Sequence, residues 1–301
     1  MRAVVTGGAG FIGSNLVDAL LARGDDVVVV DDLSTGKREN VDPSARLAEL
    51  SILDPALAEL VAEAQPDAVF HLAAQADVPT SVLRPDFDAE VNVLGTIRVL
   101  EAAGTDTNVV FSSTGGAIYG ELDRPAREDD RRTPLSPYGV AKLAAEEYVA
   151  AWNRLHGTRH GTLRFGNVYG PRQEAGLEGG VVAIFLNAMA AGEETTIFGD
   201  GGQTRDFVHV DDVVSALLLA PGRGGVFNIG SGVETSVLEL HERCRAVTGD
   251  ERPPRQAPPR EGDLRRTVLD ISLAERELGW RPTVSLDDGL RRTWDWIRSR
   301  A

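Results

Sequence analysis

Several residue types are scarce in this 301-residue chain, and each scarcity excludes something. Its single cysteine, Cys244, cannot form an internal disulfide, which fits a reducing compartment. Cys244 falls in a predicted helix, so we expect it to pack and not to act as a nucleophile. No apolar run approaches the roughly 20 residues of a membrane span. A strand is expected almost at the first residue, which leaves no room for a signal peptide. We therefore expect a cytoplasmic protein with no membrane partner.

Positive charge is also scarce. The formal net charge is −15, and two of the 31 basic residues, Lys37 and Lys142, are lysines. Because no basic stripe offsets the acidic excess, we expect no nucleic-acid partner. The five histidines are scattered among different motifs and form no cluster in the sequence, so we expect no metal site. The acidic cluster Glu128-Asp129-Asp130 is interpreted as a solvated loop.

The first 31 residues form a pattern of strand, glycine-rich turn, helix and strand. The apolar runs Arg2–Val5 and Val27–Val30 predict two buried strands. Between them, apolar residues at helical spacing predict a helix at Ser14–Arg23. A helix that begins directly after a glycine-rich turn offers free N–H groups and a positive dipole end to phosphates. The pattern therefore predicts a dinucleotide-binding βαβ unit.

Residue types within this unit favour one dinucleotide. Gly7 permits a sharp turn out of the strand, Gly10 a close approach of a pyrophosphate, and Gly13 close packing of helix on sheet. An acid ends the second strand: Asp31, with Asp32 as the neighbouring candidate. A carboxylate there accepts a hydrogen bond from a ribose 2′-hydroxyl and repels a 2′-phosphate. We predict NAD and not NADP; the alternative is a structural glycine turn in an unrelated α/β protein.

Strands and helices alternate through the first half of the chain, which predicts the α/β class and a doubly wound parallel sheet of the Rossmann type. Beyond Asn167 shorter elements predict a smaller, discontinuous α/β substrate-binding domain over the carboxyl ends of the strands. We divide the chain into a NAD-binding domain, 1–166, with a return segment near 203–228, and a mainly substrate-binding domain, 167–301. Further strands are predicted at 47–50, 68–72, 108–112 and 158–164, helices at 56–64, 87–103, 137–156, 181–191, 210–219, 237–247, 272–278 and 286–298, and a proline-rich surface crossing at 253–259.

Two residues at the start of the predicted helix 137–156 have the spacing of a catalytic pair. Tyr138 and Lys142 are four apart, so both side chains lie on one face. A phenol with a pKa of about 10 is a poor base at neutral pH, but a nearby ammonium favours the phenolate. Ser112 to Thr114 follow the fifth strand, where a hydroxyl can relay a substrate proton to Tyr138. The alternatives are a surface pair and a plain Ser/Thr turn.

Seven stretches together resemble the extended short-chain dehydrogenase/reductase family, in its nucleotide-sugar epimerase/dehydratase branch and most closely its UDP-hexose 4-epimerase group. The resemblance runs from residue 2 to about residue 296, nearly the whole chain. The stretches are Thr6–Gly13, Asp31–Gly36, His71–Ala74, Ser136–Gly139 with Lys142, Gly166–Pro171, Gln203–Asp212 and Arg260–Asp263.

This resemblance implies NAD-dependent 4-epimerisation of a UDP-hexose through a transient 4-keto sugar, with UDP-glucose, UDP-galactose and their N-acetylated forms as candidate substrates. One alternative is a UDP-glucuronate 4-epimerase. A second, of another class, is an inactive NAD-binding regulatory protein. In the family the helices that match 87–103 and 137–156 form a four-helix dimer interface, so a homodimer is expected.

The resemblance also implies roles by position. Thr114, Tyr138 and Lys142 match the catalytic residues, and the first two also contact substrate. Residues that match contacts to the UDP group are Asn167, Arg205, Arg260 and Asp263. Residues that match the cofactor site are Gly7, Gly10, Phe11, Ile12, Gly13, Asp31, Asp32, Ser34, Thr35, Gly36, Ile52, Leu72, Ala73, Ala74, Asn92, Ser112 and Phe165, together with Tyr138 and Lys142.

The chain departs from the family pattern at two places. The acid that meets the adenine is replaced by Ser51, so that contact is made by Asp54 or is lost. Gly115-Gly116 stands where dehydratases carry an Asp-Glu pair for water elimination, which favours epimerisation. The position that gates 2-acetamido sugars matches Thr267, a small residue that would admit N-acetylated hexoses.

Overall fold

The computed structural model describes residues 1–176, 180–260 and 264–300. Its centre is a sheet of seven parallel strands in the order β10-β6-β5-β4-β1-β2-β3, beside two smaller sheets, β11-β9-β7 and β12-β8. The strands are β1 Arg2–Thr6, β2 Asp26–Asp31, β3 Arg46–Glu49, β4 Ala68–His71, β5 Asn108–Thr114, β6 Gly161–Phe165, β7 Asn167–Tyr169, β8 Thr196–Phe198, β9 Thr204–His209, β10 Gly225–Ile229, β11 Glu234–Ser236 and β12 Arg255–Ala257.

Helices cover both faces of the central sheet, as the predicted doubly wound fold requires. They are α1 Phe11–Ala22, α2 Ala56–Ala64, α3 Val78–Leu83, α4 Pro85–Ala89, α5 Gly95–Ala103, α6 Gly115–Ile118, α7 Pro137–His156, α8 Val181–Ala191, α9 Val210–Leu219, α10 Val237–Thr248, α11 Ser272–Leu278 and α12 Leu286–Ser299, with a 3₁₀ turn at Arg38–Asn40 and a π-helical segment at Glu90–Leu94. Among these helices, all within the described ranges, none is long and apolar enough to span a membrane.

Two apolar layers enclose the sheet. On one face α1 and α9 pack through residues such as Leu16, Leu20 and Leu217. On the other face α2, α5 and α7 pack through residues such as Leu57 and Leu100. Strands that are covered on both faces are apolar throughout, which explains the uninterrupted valines of β2. The sheet therefore has two buried faces, and in open α/β sheets of this kind ligands bind at the carboxyl ends of the strands.

A third apolar cluster holds α8, α10 and α12 together beyond the sheet. Cys244 lies in it, fully buried and without a disulfide partner. Burial raises the pKa of its thiol to about 12, so the thiolate is not formed at neutral pH. The predicted packing role of Cys244 is confirmed.

The prediction of one continuous helix at 87–103 is wrong. Pro85 begins α4 at a position where its missing N–H costs nothing, and a π-helical segment follows before α5. Within that segment the Asn92 amide donates to the backbone oxygen of Gln75 at 2.8 Å. A hydrogen bond to a distant loop thus accompanies the irregular turn.

Two smaller predictions also need correction. The strand predicted at 158–164 begins at Gly161. The Asn153 side chain already hydrogen-bonds both backbone groups of His160: its amide donates to the His160 oxygen, and its Oδ1 accepts from the His160 N–H, each at 2.9 Å. The predicted crossing at 253–259 contains a strand, β12, which pairs with β8. In both places the deciding partner lies outside the local stretch of sequence.

Asp206, on β9, joins three segments of the chain. Its side chain is almost fully buried and accepts hydrogen bonds from the backbone N–H groups of Ser231, Gly232 and Leu269, and from the Ser231 hydroxyl. The backbone presses close to it, since a Cβ on Gly230 would lie 2.4 Å from Asp206 Oδ2. Burial raises the pKa of this carboxyl, and the hydrogen bonds oppose that rise.

We expect Asp206→Asn to lower the free energy of unfolding by about 2–3 kcal/mol, because an amide NH₂ would then face backbone donors. Urea denaturation measures this. Asp200→Asn is the matched control, since Asp200 is exposed and pairs with Arg265 in solvent; its urea midpoint should stay that of the wild type. Equal midpoints for all three proteins would contradict the structural role of Asp206.

Candidate active site

The glycine-rich turn between β1 and α1 is packed too closely for side chains. A Cβ on Gly7 would lie 2.6 Å from the Ala73 nitrogen, and one on Gly13 would lie 2.1 Å from the Gly7 oxygen. Gly7 also has a positive φ of 72°. The segment after β4 is fixed against this turn, because the N–H of Leu72 donates to the Thr6 oxygen at 3.0 Å. Gly7, Gly13, Leu72 and Ala73 therefore meet at one edge of the sheet.

The N-terminus of α1 begins at this turn. Gly10 is its N-cap and supplies no side-chain oxygen to the first helical N–H groups, and the first turn contains no acid. These N–H groups, those of Phe11 and Ile12 among them, are the kind that bind phosphate oxygens at a helix N-terminus. An uncapped N-terminus beside closely packed glycines fits a dinucleotide pyrophosphate.

The acid at the end of β2 lies beside the same turn. Asp31 is buried and accepts from the N–H of Ala9 and from that of Leu33, each at 2.9 Å. Burial raises the pKa of its carboxyl, and these two hydrogen bonds oppose the rise. A Cβ on Gly36 would lie 2.6 Å from Asp31 Oδ1, so the loop that contains Ser34 and Thr35 folds back onto it.

Asp32 differs from Asp31 in environment. It is exposed, and its Oδ1 accepts from the N–H and hydroxyl of Ser34 at 3.0 and 2.6 Å. Both acids lie at the end of the second strand, where an acid meets a ribose in this kind of unit.

Other residues matched to the cofactor site lie after β3, at the end of β6 and in the π-helical segment. Ile52 is buried after β3 and packs against Gly95, where a Cβ would come within 2.5 Å of its Cδ1. Phe165 ends β6, and Asn92 lies in the π-helical segment. Asp54, the candidate substitute for an adenine contact, uses one carboxylate oxygen to accept from the N–H of Ala56 at 2.9 Å.

Tyr138 and Lys142 occupy the first turns of α7. The Ser136 hydroxyl caps this helix by accepting from the N–H of Gly139 at 3.2 Å, which fixes where the helix begins. Tyr138 is half-buried, and Lys142 is 3% exposed. The two therefore share one face at the boundary between core and solvent.

The ammonium of Lys142 is held against β5. Its Nζ donates to the Ser112 backbone oxygen at 3.0 Å and lies 4.9 Å from the centroid of the Phe111 ring. Burial lowers the pKa of Lys142 to about 8, while the charges of Asp88 and Glu146 oppose that shift. The Ser112 hydroxyl is itself fixed, since it donates to the His71 oxygen at 2.9 Å.

Thr114 lies at the end of the same strand and is the N-cap residue of α6. A Cβ on Gly116 would lie 3.9 Å from Thr114 Oγ1 and 3.9 Å from Asn167 Oδ1, so Gly116 leaves a small open space between two predicted site residues. α6 offers no carboxylate at this point. The first turn of α6 thus lacks the acid and base that a dehydration needs.

The residues matched to the UDP group lie mainly in the smaller sheet. Asn167 is on β7 and Arg205 on the paired strand β9, whose NH1 donates to the Thr204 oxygen at 2.7 Å. Thr267 is adjacent, since its N–H donates to the Thr204 backbone oxygen at 3.1 Å. Its hydroxyl is buried with no hydrogen-bond partner among residues 1–176, 180–260 and 264–300.

Arg260 follows β12 and is exposed, with its guanidinium 4.0 Å from the centroid of the Phe198 ring. Asp263 lies outside the described residues. The structure therefore brings Asn167, Arg205 and Thr267 together, and it places Arg260 on the β8–β12 side.

A buried ionic network between α7 and the strands β5 and β6 was not predicted from the sequence. Arg164 is fully buried and donates to both carboxylate oxygens of Glu146, with NH2 to Oε2 at 2.6 Å. Its NH1 donates to the Tyr119 hydroxyl at 2.6 Å, and Ser113 donates to Glu146 Oε1 at 2.5 Å. The network joins β5, β6 and α7. Glu146 lies four residues beyond Lys142, so helical spacing was the available signal.

The interpretation of Glu128 as part of a solvated loop is wrong. Its carboxylate accepts from the Asn228 N–H at 2.8 Å, and its backbone oxygen accepts from Arg164 at 2.9 Å. Burial raises the pKa of this carboxyl. Glu128 thus extends the network to β10. Within the described ranges, no group of three His, Cys, Asp or Glu side chains is placed to hold a metal ion.

These features define a class: an α/β enzyme with a dinucleotide site at the carboxyl edge of its sheet and a Tyr-x-x-x-Lys pair beside it. The model of the NAD dependent epimerase/dehydratase family matches residues 3–230. The chain belongs to this family. The predicted family, its NAD dependence and an epimerase-type enzyme are thereby confirmed.

Individual relatives match this chain over their full length or nearly so. The chain is 46% identical to the UDP-glucose 4-epimerase of Mycolicibacterium smegmatis, with 100% of each chain covered. It is similar to a crystal structure of Thermotoga maritima UDP-glucose 4-epimerase with UDP-glucose, at 47% identity and a TM-score of 0.97, covering 100% of this chain and 99% of that one. It is also similar to the Thermus thermophilus UDP-glucose 4-epimerase in complex with NAD, at 42% identity, a TM-score of 0.93 and full coverage of both chains.

We expect Glu146→Gln to lower the free energy of unfolding by about 3–5 kcal/mol, because it leaves the Arg164 guanidinium buried without its counter-charge. Urea denaturation measures the loss. Glu147→Gln is the control on the same helix, since Glu147 is exposed and pairs with Arg132 in solvent. If both variants unfold at the wild-type midpoint, the network does not stabilise the fold.

Proposed function

We propose that this protein is a UDP-hexose 4-epimerase that interconverts UDP-glucose and UDP-galactose. The observation that carries the proposal is the joint between β5 and α7, where the Nζ of buried Lys142 donates to the Ser112 carbonyl. Tyr138 lies one helical turn before Lys142, and Thr114 ends the same strand as Ser112. The names of full-length relatives support the same reaction. Gly115 and Gly116 support epimerisation over dehydration, because they offer no acid or base to drive loss of water.

The residues that would hold NAD are those around the glycine-rich turn, the end of β2 and the segment after β4. Bound NAD supplies a hydride acceptor and donor at the sugar C4 carbon. The chain's contribution is to place that carbon beside Tyr138. We propose residues 1–166, with a return segment near 203–228, as the unit that holds the cofactor, and residues 167–301 mainly as the unit that holds substrate.

Tyr138 takes and returns the proton of the sugar 4-hydroxyl. The neighbouring Lys142 ammonium stabilises its phenolate, and Thr114 hydrogen-bonds the same sugar oxygen and relays the proton. Oxidation gives a 4-keto sugar, which rotates about its phosphate linkage before reduction on the opposite face. Because the hydride returns to the opposite face after this rotation, the configuration at C4 is inverted.

The diphosphate is the fixed end of the substrate. We propose that Arg205, from β9, and Arg260, from the β8–β12 side, bind its oxygens, since guanidinium groups bind phosphate through paired hydrogen bonds. Asn167 joins them from β7, and Asp263, which lies outside the described residues, is proposed on the uridine side. Local positive charge in a chain of net charge −15 gives an anionic substrate a defined place to bind.

The choice among hexoses depends on the pocket around Thr267. A small side chain there leaves more room for a 2-acetamido group than a bulky one would. A uronic acid instead needs a cation or donor for its carboxylate, and we propose segment 172–178 as the candidate for it, of which 177 and 178 lie outside the described residues. Arg172 already pairs with Asp18 at 2.6 Å, which favours a neutral hexose over UDP-glucuronate.

The purified protein should convert UDP-galactose to UDP-glucose, and Tyr138→Phe should lower turnover by about 10²–10⁴-fold while sparing UDP-sugar binding. NMR of a panel with UDP-glucose, UDP-galactose, their N-acetylated forms and UDP-glucuronate measures the products. Tyr148→Phe, an exposed tyrosine on the same helix, is the matched control and should keep wild-type turnover.

Each contrary result has a distinct meaning. Product from UDP-glucuronate alone would replace the proposed substrate. No product from any sugar would favour an NAD-binding regulatory protein. Unchanged turnover in Tyr138→Phe would refute the proton acceptor.

We also propose that the protein is a homodimer. Leu83 and Leu155 are 81% and 76% exposed, and Val82, Val140 and Tyr148 are exposed beside them on α3 and α7. The three residues on α7 fall in one stripe at helical spacing. Exposed apolar side chains on two helices that contact each other suit a self-complementary interface.

Static light scattering should give twice the chain mass for the wild type and the monomer mass for Leu83→Glu combined with Leu155→Glu, because the charges would be buried in the interface. Leu238→Glu, at an exposed leucine on α10, is the control and should stay dimeric. A monomeric wild type overturns this proposal.

A further inference from the structure

Asp88 is a buried carboxylate on α4, a helix that packs against α7, which carries Tyr138 and Lys142. It is 1% exposed. Its Oδ1 accepts from the Gln75 amide at 2.8 Å and from the Asn92 amide at 3.0 Å. Its Oδ2 is buried and has no hydrogen-bond partner within the described residues. A buried carboxylate held by neutral amides still needs a compensating positive charge.

The hydrogen bonds from the Gln75 and Asn92 amides fix the position of the Asp88 carboxylate. Gln75 follows directly on the segment matched to the cofactor site, and its Oε1 accepts from the Asp77 N–H at 2.7 Å. Asn92 donates both to Asp88 and to the Gln75 backbone oxygen. Asp88 is thus fixed between the π-helical segment and the loop after β4, and α4 packs against α7.

Lys142 is a buried cation in need of a counter-charge. It donates to a neutral carbonyl, that of Ser112, and within the described chain neither Lys142 nor Asp88 forms a close ion pair. Each acts on the other: the charge of Asp88 raises the pKa of Lys142 against burial, and that of Lys142 lowers the pKa of Asp88 against burial.

The other titratable groups that face Lys142 are already neutral or paired. Glu146, on α7, is bound by the buried Arg164 through both carboxylate oxygens. His71, on β4, is buried, and burial together with Lys142 lowers its pKa to about 3, so it is uncharged at neutral pH. Tyr138, on α7, is the group on which Lys142 acts. Asp88 remains as the uncommitted negative charge.

We propose that Asp88 is the buried counter-ion of Lys142, and that it keeps the lysine protonated while Tyr138 gives up and regains a proton. Asp88 is a positioning residue, because it acts through Lys142. The inference rests on the proposed roles of Tyr138 and Lys142. Gln75 and Asn92 serve by holding one carboxylate oxygen in place.

The charge of Asp88 has two consequences of known sign. It opposes the loss of the Lys142 proton, so its removal lets Lys142 deprotonate at lower pH. It also disfavours the Tyr138 phenolate directly, so its removal lets Tyr138 ionise at lower pH while Lys142 is still charged. Both limbs of the pH profile should therefore move toward acid, a displacement that a merely structural role would not produce.

The experiment compares wild type, Asp88→Asn, Asp88→Glu and Asp77→Asn as NAD-loaded protein, each checked for fold by circular dichroism. NMR of lysine-labelled protein follows the two lysine signals with pH. Lys37 is partly exposed, pairs with Glu174 at the surface and is the internal control in every sample. In Asp88→Asn the Lys142 titration should fall by about one pH unit, and both limbs of kcat/KM should move the same way.

Asp88→Glu should restore most of the shift, and Asp77→Asn, which removes a buried carboxylate that caps α3, should leave the Lys142 signal at the wild-type position. An unmoved Lys142 titration in Asp88→Asn overturns the proposal. If that variant does not fold, carboxyl NMR of aspartate-labelled wild type decides, with Asp88 identified by its loss in Asp88→Glu. An ionised Asp88 at neutral pH supports the pairing, and a protonated one excludes it. Activity retained by Tyr138→Phe would instead remove the proposed function and leave the NMR result standing.

Discussion

The proposed chemistry depends on one buried ammonium group, that of Lys142, which must stay charged although it is shielded from water. Lys142 lies near the start of α7. Its Nζ donates to the carbonyl of Ser112 and lies over the ring of Phe111. Burial works against its charge, and the proposed chemistry needs that charge so that a phenol can act as a base near neutral pH. The surrounding structure resolves this conflict by supplying carbonyl oxygen, ring face and negative charge from different strands and helices.

Rigidity at the β5–α7 joint comes from the layer behind the catalytic pair. Arg164 and Glu146 form a fully buried pair one helical turn beyond Lys142, and Tyr119, Ser113 and Glu128 complete its hydrogen bonds. Buried ion pairs contribute little net stability when complete, but they are costly to break. Such a network is therefore suited to fixing the angle of α7 on the sheet. Because Tyr138 and Lys142 are residues of α7, this network also fixes where their side chains lie.

The sequence predicted well where the signal was local and periodic. The bounds of α2, α7, α8, α9 and α11 follow from apolar spacing and caps, and the close packing at Gly7 and Gly13 and the position of Tyr138 and Lys142 at the start of α7 were predicted from spacing along the chain. It failed where a distant partner decides, as with Asn92 in the π-helical segment and Asn153 before β6. Asp88 and Glu146 were missed because 46 acidic residues look alike in a sequence. Their roles come from burial and from partners far along the chain, which only the folded structure brings together.

The most direct measurement is the pH at which Tyr138 ionises in NAD-loaded protein, from the phenolate absorbance of wild type minus that of Tyr138→Phe. A buried cation beside the phenol should bring this ionisation well below the ordinary value of about 10. In Lys142→Met it should return toward that value. Ionisation of Tyr138 at the ordinary pH in the wild type, or an equally early ionisation without Lys142, would contradict the account.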